Sequence, residues 1–389
     1  MKKIRFGIIG CGGIGRHHAR QIIETKAGDF CLTAVADVYA EAAEALGRES
    51  GTKWFGDGYR LIDSGLVDAV IIATQHYEHP PLAIYAARRG LHVLTEKPVA
   101  VTVGPAREMV RQCAKSGVAM GVMFHQRNRS LMRKMKQMVE SGRIGEIFRV
   151  QMICSNWYRR QSYFDSAAWR GTWEGEGGGI MLNQAPHSLD LLLWIAGVPK
   201  RVVATVGTRL HKIEVENTVN AILEYGGGKT GYVYATTAEA PGMEQLMVCG
   251  DKGTLVAQND KLQFGKLAVP LTRDIKAKNA SGEPKCTWTE VPVTQPDGRH
   301  IGVIRAFAAH ILRGRPMTAE GKDGLNELEL SNAIYISGYK GKPVDLPVSA
   351  AEMERLLNML SRKYGRGKNS NLRKKANAQL KKLLGKFPA

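Results

Sequence analysis

The sequence predicts an α/β unit on a doubly wound parallel sheet, followed by an α+β unit with a large, mostly antiparallel, open-faced sheet. Three observations carry this. Up to about residue 124, short apolar runs alternate with helical patterns. Those runs are apolar at successive positions, as in parallel strands covered on both faces. Beyond residue 125 the runs lengthen and alternate apolar with polar, as in a sheet with one solvated face.

In the first unit, strands are expected at 4–9, 32–36, 68–73, 92–95 and 118–124. Helices are expected between them at 15–26, 40–48, 80–89 and 103–115. In the second unit the strands are 147–157, 216–225, 230–238, 243–250, 253–258 and 261–265. Gly226-Gly227-Gly228 is a hairpin signal between two of them. Helices are expected at 301–313 and 324–338. The division is therefore 1–124, 125–348 and a basic helical tail, 349–389.

Composition narrows the class. Apolar residues are 44% and charged residues 23%, which excludes wholesale disorder. No apolar run approaches the length of a membrane span. Cys11, Cys31, Cys113, Cys154, Cys249 and Cys286 form no CxxC pair, so free thiols in the cytoplasm are expected. The formal charge of +19 raises the question of nucleic acid, but no nucleic-acid-binding motif accompanies it. Residues 349–389 hold 11 cations and 2 acids, so much of the excess belongs to the tail. There Leu372, Ala376, Leu380, Leu383 or Leu384, and Phe387 recur at helical spacing, with Lys374, Lys375, Lys381, Lys382 and Lys386 between them. Such a helix suits an acidic surface or a neighbouring subunit, and a solvated tail fits equally well. Deleting 365–389 is expected to leave the chemistry intact.

Gly10-Cys11-Gly12-Gly13-Ile14-Gly15 is a G-x-G-x-x-G run that follows a strand and opens a helix. This is the setting of a dinucleotide-binding Rossmann unit. Gly10 allows the tight turn, Gly12 and Gly13 let backbone approach a pyrophosphate, and Gly15 brings helix and strand together. Asp37 ends the second strand, where a carboxylate meets the adenosine ribose hydroxyls. Val38 follows it rather than Arg, so NAD is favoured over NADP; a simple helix cap is the other reading of Asp37.

Glu96-Lys97-Pro98 follows the fourth predicted strand, at the edge of the ligand crevice. Pro98 restricts the backbone of Lys97 and so fixes its ammonium. A surface pair with Glu96 is the alternative. The segment after Gly177-Gly178-Gly179 is too apolar for a solvated helix, so Asn183, His187 and Asp190 on one face need partners. Pro186 either kinks this helix or starts it. A neutral imidazole at His187 can accept a hydroxyl proton. Between 157 and 173, Trp157, Tyr158, Tyr163, Phe164, Trp169 and Trp173 mix with Arg159, Arg160 and Arg170. Aromatic faces and guanidiniums suit a sugar, or the loop packs on its own aromatics. His76-Tyr77-Glu78-His79 lacks the helix context and companion ligands of a metal site, so no metal is expected.

Together these residues resemble the Gfo/Idh/MocA family of nicotinamide-dependent sugar and polyol oxidoreductases, over about residues 4–347. The resemblance rests on 10–15, Asp37, Ala73-Thr74 with His79, Glu96-Lys97-Pro98, Arg127, 142–147, 177–187 and 250–255. It implies a substrate domain that often forms the oligomer contact, dimeric or tetrameric. It implies that Lys97 positions the reacting hydroxyl and that His187 is the acid/base. Thr74, His76, His79, Glu96 and Lys97 become implied cofactor contacts beside the glycine turn and Asp37. Arg127, Tyr158, Trp169, Arg170 and Asn183 become implied substrate contacts. Many members carry Asp at position 183; Asn cannot act as a base, so Asn183 orients substrate or His187. The segment 169–190 is similar to a subgroup acting on glycosides or nucleotide sugars, often at the C3 hydroxyl. Oxidation-assisted glycoside cleavage and non-catalytic sensing on the same fold are the rival expectations.

Overall fold

The computed structural model describes residues 3–25, 28–278, 281–365 and 371–385. Lys386 and Phe387 of the expected tail helix lie outside them. The first layer runs β1 (Ile4–Ile9), α1 (Gly13–Thr25), β2 (Phe30–Ala36), α2 (Ala40–Ser50), β3 (Lys53–Phe55), α3 (Gly58–Ile62), β4 (Ala69–Ile72), α4 (His79–Arg88), β5 (His92–Thr95), α5 (Val103–Lys115) and β6 (Met120–Val122). The sheet order is β3-β2-β1-β4-β5-β6 with every pair parallel. β4 is buried at all four positions, which explains its unbroken apolar run.

The chain continues through α6 (Ser130–Glu140), β7 (Ile147–Cys154), α7 (Gln161–Asp165) and α8 (Pro186–Ala196). Then come β8 (Arg201–Gly207), β9 (Thr218–Gly226), β10 (Lys229–Thr236), β11 (Glu244–Gly250), β12 (Gly253–Gln258), β13 (Lys261–Leu267), α9 (Leu271–Asp274) and β14 (Cys286–Glu290). It closes with α10 (Arg299–Arg313), α11 (Gly321–Lys340), β15 (Val344–Asp345), α12 (Ala350–Tyr364) and α13 (Leu372–Leu384). These strands make a nine-stranded sheet, β14-β13-β12-β11-β7-β10-β9-β8-β15, antiparallel except at β7–β10. β8 and β9 alternate buried with exposed residues, so one face is open. The 142–147 and 250–255 motifs meet at its corner, where the Glu146 N–H donates to Asp251 (2.9 Å).

Two placements differ from the linear division. Helix α10 follows the second sheet in sequence but covers the first: Val303, Ile304 and Phe307 share a core with Ile4, Phe6 and Ile8. The tail is not a free appendage. Ala376 and Leu380 of α13 are buried in the main core, and Arg373 bonds Glu354 (3.0 Å) and Asn358 (2.6 Å) of α12.

Candidate active site

The glycine turn is shaped by close approach. Gly10 has φ of 102°, a left-handed conformation, and a Cβ there would meet the Ala73 carbonyl at 2.5 Å. A Cβ on Gly15 would strike the Gly10 carbonyl at 1.8 Å, so helix and turn can touch only through glycine. Gly12 and Gly13, by contrast, look into open space, and Ile14 is 37% exposed beside them. Backbone can therefore face a ligand at the start of α1, where free N–H groups and the helix dipole favour an anion. Asp37 accepts from the N–H groups of Cys11 (2.6 Å) and Tyr39 (2.9 Å), which fixes its carboxylate at the rim of this turn. The two residues that follow it, Val38 and Tyr39, are uncharged and exposed.

Thr74 lies opposite Gly10 at the end of β4. His79, fully buried, reaches the carbonyls of Pro98 (2.8 Å) and Thr74 (3.1 Å) with its two ring nitrogens. It ties two turns of the crevice together, and neither ring nitrogen is left to meet a ligand. His76 is held by the Glu176 carbonyl (3.0 Å). Burial, then His79 and Lys97, push its pKa down to about 3, so it is neutral.

At the end of β5, Glu96 pairs with the buried His18 (2.7 Å) and accepts from the Lys97 N–H (3.2 Å). Burial opposes the Glu96 charge, but the His18 bond and the charges of His18 and Lys97 outweigh it and hold the carboxyl near 2. Lys97 is then free to turn inward, where its ammonium donates to the Asn183 carbonyl (2.7 Å). Burial lowers its pKa; Glu96, Glu327 and Glu176 restore part of the loss.

Pro186 starts α8 at its first turn, where a missing N–H costs nothing. Asn183 therefore precedes the helix, in a turn closed by its N–H to Gly179 (3.0 Å). His187 sits in the first turn of α8, 9% exposed, with no partner for Nδ1. Burial, then His125, Lys97 and His300, keeps it well below the usual imidazole pKa. One turn on, Asp190 takes a bidentate bond from Arg127 (2.8 and 2.6 Å). Arg127 also donates to Thr318 O and Asp323, and it is 6% exposed. Its guanidinium is spent inside the protein, so it orients α8 rather than reaching the crevice. It also lies in a 3₁₀ turn, His125–Asn128.

The family now follows from comparison. Residues 4–124 match the "Oxidoreductase family, NAD-binding Rossmann fold" model, and 132–256 match the "GFO/IDH/MocA C-terminal domain". The chain belongs to the Gfo/Idh/MocA family. Its membership makes it an NAD-binding oxidoreductase. It is 26% identical over 344 residues to an inositol 2-dehydrogenase of Rhizobium meliloti, covering 86% of this chain and 96% of that one. It is similar in structure to the WlbA dehydrogenase from Bordetella pertussis in complex with NADH and UDP-GlcNAcA: 30% identity, TM-score 0.76, 90% and 100% of the two chains covered. The WlbA dehydrogenase from Chromobacterium violaceum, also with NADH and UDP-GlcNAcA, gives 29% and 0.77, covering 90% of this chain and 97% of that one. The open glycine cradle and the Asp37 rim fit such a dinucleotide.

Within this family site, the aromatic loop is less open than its composition suggested. Arg170 lies over Tyr163 (4.4 Å) and Trp169 (4.5 Å), and Trp169 meets His76 edge-on (6.3 Å). Tyr158 is 49% exposed, outside this stack. The loop's anchor is a residue that the sequence did not single out. Glu176, 1% exposed, accepts from the Gly171 N–H (2.7 Å) and from the Asn183 side chain. Burial raises its pKa to about 7 against the pull of Gly171, Asn183, Arg170 and Lys97. Its only signal was a carboxylate set within the glycines of Gly175-Glu176-Gly177. Among the described residues, no group of His, Cys, Asp or Glu is arranged to hold a metal ion.

Proposed function

We propose that this protein oxidises a sugar hydroxyl to a ketone with NAD, at C3 of a glycoside or nucleotide sugar. One observation carries the reading: the Lys97 ammonium lies close enough to His187 for its charge to help keep that imidazole neutral, and His187 Nδ1 has no partner. The bound dinucleotide supplies the hydride acceptor. Everything else is done by the chain. Lys97 donates to the substrate hydroxyl and favours its loss of a proton. His187 takes that proton, which its neutral state allows. Asn183, braced by Glu176, orients the substrate or His187, and its carbonyl holds Lys97 in place. Trp169, Arg170 and Tyr158 present aromatic faces and charge to the sugar. The WlbA relatives, crystallised with a nucleotide sugar acid, support a nucleotide sugar over a free polyol.

The six free cysteines suit a cytoplasmic enzyme, and the open face of the second sheet suits a subunit contact. NAD reduction across UDP-N-acetylglucosaminuronic acid, simple glycosides and myo-inositol tests the reading. Lys97→Ala and His187→Ala should each lower kcat by about 10²-fold or more with NAD affinity kept. Unchanged turnover in both would refute it. Sugar release without NADH accumulation would favour glycoside cleavage instead.

A further inference from the structure

Five of the ten histidines gather into one chain of rings. His187 meets His125 edge-on at 4.3 Å between ring centroids. His125 stacks on His300 at 3.8 Å, and His300 meets His17 at 4.9 Å and His18 at 5.5 Å. The members come from α8, the 125–128 turn, α10 and α1, so nothing local in the sequence requires them to meet. The Nδ1 atoms of His187, His125 and His18 are buried without a partner. Buried polar groups are ordinarily satisfied, so three orphans in one cluster call for a role. Arg299, just before His300, has φ of 46°, strained for a residue with a side chain, and Asn128 bonds its carbonyl (3.1 Å). That strain lies at the position that introduces His300 to the stack.

We propose that His125 and His300 form a proton relay between His187 and the exposed His17. The proposal rests on His187 as the acid/base of the reading above. Alcohol oxidation by NAD⁺ yields ketone, NADH and one proton. The C–H electron pair leaves with its hydrogen as hydride to NAD⁺, and the O–H bond breaks toward His187. An imidazole gains a proton on one nitrogen and loses it from the other, so the charge passes to His125, His300, His17 and water. Each step needs the rings to turn toward one another, since Nδ1 of His187 and of His125 makes no hydrogen bond as placed. Reduction of a ketone runs the same path inward.

The charges around the chain prevent the proton from staying. His187 faces His125, Lys97 and His300. His125 faces Glu96, Lys97, His18 and His17, and burial leads in lowering it to about 4. His300 faces His125, Glu96, His18 and His17, and is lowered to about 3, again chiefly by burial. Glu96 favours a transient imidazolium at His125, His300 and His17, and Glu24 adds to it at His17.

The test needs no substrate. In full-length protein with NADH bound, exchange of the His187 ring N–H with water is followed by ¹⁵N-histidine NMR. His125→Phe and His300→Phe should each slow it about tenfold or more, and added imidazole should restore it. His125→Gln, which keeps polarity but cannot pass a proton, should match His125→Phe. Unchanged exchange in His125→Phe and His125→Gln, or slowing that imidazole does not relieve, overturns the relay. Failure of the sugar-oxidation reading would show separately, as no NAD reduction by the unaltered protein.

Discussion

At the scale of single residues, the site is a set of charges that burial has displaced and neighbours have pulled back. Glu176 shows this most clearly. With its pKa raised to about 7, it gains a proton on the acid side of neutrality and then accepts less well from Gly171 and Asn183. It also stops supporting the Lys97 charge. For the unaltered enzyme, kcat/KM should therefore fall as pH drops through about 7. Glu176→Gln should be slower throughout and lack that limb, while Glu176→Asp keeps it; a limb unchanged in the Gln variant would count against this role. Arg127 makes a second case. Arg127→Met leaves Asp190 buried and unpaired, a loss of about 3–5 kcal/mol visible in denaturant unfolding. Arg127→Lys should recover little, because an ammonium cannot reproduce the two-pronged bond. Lys97 and His187, the positions proposed to carry the chemistry, could be picked out in the sequence because glycine and proline mark their turns. Glu176 and His300 were not: their roles arise from partners brought in through space, such as Asn183 seven residues on and His125 far up the chain.

At the scale of elements, the first sheet was readable because a doubly covered strand must be apolar throughout. The strands that escaped notice lie mostly at edges. β3 has three residues, β15 has two, and β14 is exposed along its whole length, so no burial stamps a pattern on them. In β8 the buried Val202 and Ala204 alternate with Val203, 37% exposed, which blurs the period. Helix α13 is the element whose meaning changed most. Its spacing was plain, but its partner was not. Leu380 is 1% exposed and, with Tyr77, Pro80 and Arg373, lines the groove beside the His76 turn. Arg373 also approaches Glu174 (3.7 Å), two residues from Glu176. Leu380→Ala should cost about 2–5 kcal/mol by thermal or denaturant unfolding. Removing 371–389 should lower both stability and kcat, against the expectation of a dispensable tail. A truncated protein with the full Tm and full turnover would restore the appendage view.

At the scale of the whole molecule, two opposed sets of buried groups set the pH dependence of stability. His76, His125 and His300 have folded pKa values of about 3, about 4 and about 3, with burial the largest cause in each. The unfolded chain binds protons at these sites first, from the ordinary imidazole value of 6.5 downward, so they remove stability as pH falls. Glu176, Glu216 and Glu327 lie on the other side, raised by burial to about 7, about 7 and about 8. Their stability is complete below the ordinary glutamate value of 4.5 and is lost as pH rises through those folded values, because the unfolded carboxyls ionise first. Between 4.5 and 6.5 the two sets oppose each other. Below that window the histidines still change, joined by Glu96, whose lowered pKa also removes stability as pH falls, and above it the raised carboxyls change. The free energy of unfolding should therefore peak inside the window and fall on both sides. Glu327 carries the alkaline limb furthest, to about 8, since burial raises it, its Oε2 has no partner and only Ser331 holds Oε1 (2.8 Å). Glu327→Gln should flatten the fall between about pH 6.5 and 8 while leaving the acid side unchanged. Urea unfolding at half-unit steps of pH reads both limbs, and an alkaline limb that survives the substitution would remove Glu327 as its cause.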